Sequence, residues 1–147
     1  MNYREKFYIQ FLASYPDLLK TAGAEMSLIN SVYRNQALKI ILSYFRAEHD
    51  YIIIDCGPTL GILLVNALVV SDEVIISIQT EEFAVDGIVQ ILNTIQNVRR
   101  VENHSLKIAG FLLTIVQENV IEYREIKKAM IEQFGDLVFS TAINQSA

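Results

Sequence analysis

The chain is poor in the residues that most often announce a function. Its 147 residues include one cysteine, two histidines, two prolines and no tryptophan. A lone thiol, Cys56, cannot close an internal disulfide, and one cysteine with two histidines makes no metal-ligand spacing. No histidine lies near Cys56 in sequence, so it reads as a small packed residue in preference to an activated nucleophile. No apolar run approaches the ~18 residues that cross a bilayer. The N-terminus carries the charged Tyr3-Arg4-Glu5-Lys6 before a short apolar stretch, which is not a signal-peptide pattern, and the cytoplasm is the expected compartment. The net charge of −5 argues against a surface that binds nucleic acid throughout, while leaving room for a local basic patch.

What the chain has in abundance is apolar residues, at 52%. That fraction and this length suit one α/β domain with a sizeable core, spanning residues 1–147. The organising stretch runs from Asp50 to Leu68. Tyr51 to Ile54 reads as a strand too apolar to have a wet face, the kind that lies mid-sheet between helices. It ends in Asp55, and Gly57-Pro58 then turn the chain into an apolar helix containing Asn66. Ligands of open α/β sheets bind beyond the carboxyl ends of the strands. An acid there can hold Mg²⁺ for a phosphate-binding enzyme, directly or through water; it can equally cap the next helix or close a turn.

In chain order, Phe7–Ala13 is a first strand candidate, and a helix is expected from about Asp17 through Ile29. Leu38, Ile41, Leu42 and Phe45 form an apolar stripe at helical spacing over Ala37–Phe45. Glu73–Ile78 reads as a buried strand. Thr80 or Glu81 would cap a helix with Val85, Ile88, Leu92 and Ile95 on one face, running to about Val101. Arg99 and Arg100 near its end suit the helix dipole; the sharper reading joins them with Lys107 in a DNA-facing patch. Leu106–Thr114 reads as a further buried strand in which Gly110 lets a neighbour approach. Asn119 and Glu122 open a helix to Phe134 that Gly135 closes, with Tyr123, Ile126, Met130 and Phe134 inward. Leu137–Phe139 is a last short strand, giving about five in all.

Asp55-Cys56-Gly57-Pro58-Thr59-Leu60-Gly61 and Asn66-Ala67-Leu68 resemble the Walker B region of the ParA/MinD partition ATPases (the deviant Walker A family), with Gly57 replacing a proline. Gln79, Glu81, Phe83, Ala84 and Gly87 match a second diagnostic segment, and Thr114 matches a third. The similarity is closest to the ParA/Soj branch. Asp17-Leu18 and Gly23-Ala24-Glu25 match more loosely. Ser140–Gln145 is similar to the start of a Thr-X-Ile-Pro-Arg segment bordering the nucleotide base, with Asn144 and Gln145 where proline and arginine would stand.

The resemblance implies a doubly wound, mostly parallel sheet with helices on both faces, and ATP with Mg²⁺ as family cofactors. Asp55 would position Mg²⁺ or water, with Pro58, Thr59, Gln79, Thr80, Glu81 and Thr114 around the nucleotide. It also implies a ParB-like partner, non-specific DNA, and a cytoplasmic, nucleoid-associated setting. The family's glycine-rich phosphate loop has no counterpart: Gly23, Gly57, Gly61, Gly87, Gly110 and Gly135 lie in no such run, and none precedes a lysine. The arginine common after the Thr114 strand is also missing, from Gln117-Glu118-Asn119.

The expectation is a ParA-like domain truncated at both ends and unable to hydrolyse ATP alone. Two alternatives stand beside it. One is a non-catalytic binding module that associates with itself or with a full-length partition ATPase. The other is a different enzyme on a doubly wound sheet, with Asp55 in another role.

Overall fold

A computed structural model describes residues 29–47, 49–57, 59–79, 85–117 and 121–145. The first strand candidate and nearly all of the expected Asp17–Ile29 helix lie outside them. The described elements are α1 (Ala37–Ser43), α2 (Ile62–Val70), β1 (Glu73–Gln79), α3 (Val85–Val101), β2 (Lys107–Val116), α4 (Ile121–Phe134), a 3₁₀ turn (Gly135–Leu137) and β3 (Val138–Asn144). They fall into two compact units. One takes residues up to Ser71 together with Thr94–His104, and the other takes Asp72–Asn93 with residues from Ser105 onward.

The second unit holds a parallel sheet in the order β1-β2-β3. Parallel neighbours need a crossover, and α4 supplies the one between β2 and β3. The fold is α/β with a parallel sheet, as expected. Central β2 is the most apolar strand and the most buried, with Phe111 and Leu113 fully enclosed. Flanking β1 buries only alternate residues, Ile76 and Ile78, and leaves Ile75 half exposed. Gly110 fits its expected role: a Cβ there would stand 2.5 Å from the Leu137 carbonyl oxygen and 3.1 Å from the Phe139 ring. From α4, buried Tyr123 and Met130 point inward, and Phe134 stacks tilted on Phe111 with ring centroids 4.3 Å apart. Lys127 lies over the Tyr123 ring at 5.6 Å. Gly135, in the left-handed region at φ +56°, ends α4 as a C-terminal glycine should.

The first unit is built around α2. Nothing charged lies in the first or last turn of this helix, and its Asn66–Val70 half is buried. Side chains from elsewhere satisfy its C-terminal carbonyls. Arg46 donates to Val70 O at 2.8 Å, while Asn103 Nδ2 donates to Leu68 O at 3.0 Å and Ser71 O at 2.7 Å. Leu42 of α1 and Val70 of α2 form a small core, against which Leu38, Ile41, Ile52 and Ile54 pack.

Two expectations about strands need correcting. Tyr51–Ile54 is not a mid-sheet strand: among the described residues no strand pairs with it, and the sheet described there has three strands, while the Phe7–Ala13 candidate lies outside them. Its side chains alternate, with Ile52 and Ile54 packed inward while Tyr51 is 73% and Ile53 52% exposed, so it does have a wet face. The last strand is longer than Leu137–Phe139, because Ser140–Asn144 continues it along β2.

Candidate functional site

Asp55 leaves the Ile52/Ile54 packing and enters solvent immediately, and Cys56, Gly57 and Thr59 are exposed with it. The described residues between Asp55 and Leu60 thus lie at the surface between the packed 51–54 segment and α2, whose first residue is Ile62. Cys56 is exposed, so it is not the small packed residue expected from the sequence. Loss of hydration, and secondly the Asp55 carboxylate, push the thiol above its ordinary range. A raised thiol is a poor nucleophile at neutral pH. No cluster of histidine, cysteine and acidic residues suited to a metal ion occurs among the described residues.

In the sheet-bearing unit, Gln79 and Thr114 are register partners at the carboxyl ends of β1 and β2. The Thr114 hydroxyl donates to Ile78 O at 3.3 Å, so its proton stitches the two strands and only its oxygen is left to meet a ligand. Beyond it the sheet departs from regularity. Ile115 has φ +54°, a left-handed conformation that is an outlier for a β-branched residue, and the β2–β3 register shifts between Thr114 and Val116. Gln117 and Gln145 bond side chain to side chain at the same end, and Gln145 N donates to Val116 O at 3.0 Å. Strain of this kind gathers at functional ends of sheets, and nothing in the local sequence pointed to Ile115.

Arg99 and Arg100 are exposed in the last turn of α3, where His104 Nδ1 donates to Arg99 O at 2.6 Å. Lys107 opens β2, exposed and in register with Glu73, an acid directly across the ladder. The two arginines belong to one unit and the lysine to the other. Pro58, Thr80 and Glu81 lie outside the described residues, as does Asn119.

The residue whose importance was least visible is Asn66. It is 3% exposed and completely bonded: Nδ2 donates to Arg34 O at 2.6 Å and Ile62 O at 2.9 Å, and Oδ1 accepts the Leu38 N–H at 3.2 Å. An amide inside the otherwise apolar run Ile62–Val70 was the signal available.

The parallel sheet and its helical crossover place the chain among α/β domains, and the family model described as an AAA domain matches residues 4–108. Among its relatives, the sporulation initiation inhibitor protein Soj of Bacillus subtilis is 37% identical over 92% of this chain and 53% of its own length. The chromosome partitioning protein ParA of Myxococcus xanthus is 37% identical over 92% of this chain and 47% of its own. Of solved structures, cobyrinic acid a,c-diamide synthase of Mycobacterium smegmatis with bound ADP and magnesium superposes with a TM-score of 0.78 and 33% identity, over 85% of this chain and 51% of that one. A plasmid partition protein of Borrelia burgdorferi gives 0.65 and 25%, over 79% and 47%. The chain belongs to the ParA/Soj-type partition ATPase family. It spans about half the length of these relatives, 53% of Soj and 47% of ParA. No helix among the described residues is long and apolar enough to cross a membrane.

Proposed function

We propose that these 147 residues carry the Walker B part of a ParA/Soj-type partition ATPase, acting as one domain, with Asp55 positioning Mg²⁺ or the attacking water beside an ATP phosphate. The observation that carries this reading is the placement of Asp55: a solvent-facing carboxylate at the exit of an apolar segment, directly ahead of α2. In phosphoryl transfer, positioning and electrostatic stabilisation do nearly all the work. The sequence holds no glycine-rich, lysine-bearing loop, so the 147-residue chain by itself will not hydrolyse ATP. Thr59, and Gln79 with Thr114 at the paired ends of β1 and β2, are the described candidates to meet the nucleotide. Pro58, Thr80 and Glu81 are proposed with them on the family resemblance. Cytoplasmic action, a ParB-like partner and non-specific DNA follow from the same relationship, with Arg99, Arg100 and Lys107 as the basic residues concerned.

A second reading, a non-catalytic module that pairs with itself or with a complete partition ATPase, is favoured by the exposed apolar side chains of Tyr51 and Ile53. Calorimetry with Mg·ATP and Mg·ADP decides between them. Micromolar, Mg-dependent binding abolished by Asp55→Ala supports the nucleotide reading. Absence of binding favours the module.

A further inference from the structure

Among the described residues no strand pairs with Tyr51–Ile54, the segment that presents Asp55, and its described hold is the seat of Ile52 and Ile54. Their seat is the Leu42–Val70 core, one residue from α1 and one from α2. Whatever sets the spacing of those two helices therefore sets the place from which Asp55 emerges.

Asn66 is the residue that sets it. Its Oδ1 takes the Leu38 N–H in the first turn of α1, where Gln36 makes no side-chain cap of its own. Its Nδ2 holds Arg34 O, just ahead of α1, and Ile62 O, one turn earlier in α2. Leu38 meets Asn66, and Leu42 meets Val70. The contacts advance by one turn on each helix together, so α1 and α2 lie side by side in the same direction and in fixed register. An aliphatic residue at position 66 would fill the space without specifying that register.

We propose that Asn66 is the positioning residue of Asp55: through its bonds to Arg34 and Leu38 at the start of α1 and to Ile62 in α2 it fixes the register of the two helices on which Ile52 and Ile54 seat, and with it the loop that carries the carboxylate. This rests on the reading of Asp55 given above, but it can be tested without nucleotide. The neighbouring thiol is the only one in the chain and reports on the loop directly.

The measurement is the rate of iodoacetamide alkylation of Cys56 at one fixed pH in the folded 147-residue chain, for wild type, Asn66→Ala and Asn103→Ala. Asn103→Ala is the matched control, because it strips two hydrogen bonds from the opposite end of the same helix. A loop that loses its seat opens more often to the reagent, so Asn66→Ala should raise the rate by about threefold. Asn103→Ala should leave the rate where it is. Equal changes in both variants, scaled to their loss of stability in urea, would reduce Asn66 to a general stabiliser and overturn the proposal. So would an unchanged rate in folded Asn66→Ala. If that variant does not fold, Asn66→Ser keeps a donor for Ile62 O, and the same two outcomes apply to it. Repeating the alkylation with Mg·ATP tests the nucleotide reading separately: no protection in any variant counts against that reading and leaves the Asn66 result standing.

Discussion

Among the described residues, the two units differ in what accompanies apolar burial. The sheet-bearing unit relies on close apolar fit: Phe111 and Leu113 are enclosed, Phe134 lies against Phe111, and a glycine lets the Leu137 carbonyl nearly touch β2. The unit around α2 buries Leu42, Leu68 and Ile95 as deeply, but side-chain amides and one guanidinium bonded to main-chain carbonyls also give its helix its place. Apolar fit is tolerant of direction but sensitive to volume. Bonds to the backbone are tolerant of volume but fail outright when one partner is lost, because the other is left buried and unpaired.

That contrast can be broken from either side. The largest loss is expected from Phe111→Ala, at about 3–5 kcal/mol by urea unfolding, since it removes a fully buried ring and the partner of Phe134. Asn66→Ala should follow at roughly 2–3 kcal/mol, more than its small volume implies, because the Leu38 N–H and Arg34 carbonyl lose their partner. If it costs no more than an exposed asparagine, the distinction between the units collapses. Gly110→Ala should cost about 1–3 kcal/mol, as the backbone carbonyl of Leu137 cannot step aside the way a flexible side chain would. The smallest effect has the opposite sign. Ile115→Gly should stabilise by about 1 kcal/mol, seen as a higher urea midpoint, by relieving the left-handed backbone of a β-branched residue.

The same contrast explains what could be read from the sequence. Helix faces were legible because apolar spacing encodes them: Leu38, Ile41 and Leu42 turn inward on α1, as do Tyr123 and Met130 on α4. Glycine chemistry was legible too, at Gly110 and Gly135. The run Tyr51–Ile54 misled because composition reports how apolar a segment is and says nothing of whether a strand lies beside it. Ser140–Asn144 was set apart from the last strand because its polar residues mask a backbone that pairs regardless. The site was legible as residue types around Asp55, since those carry the family pattern. What positions them was not, because the bonds of Asn66 reach residues up to 32 positions away.

The bond between Asn66 and Leu38 has one more consequence. Peptide protons in the first turn of a helix have no partner within it and ordinarily trade with solvent deuterium without delay. The Leu38 proton is held by a different helix, 28 residues along the chain. It can leave only when α1 and α2 part, so the lifetime of this one proton is a clock for how often the two helices separate.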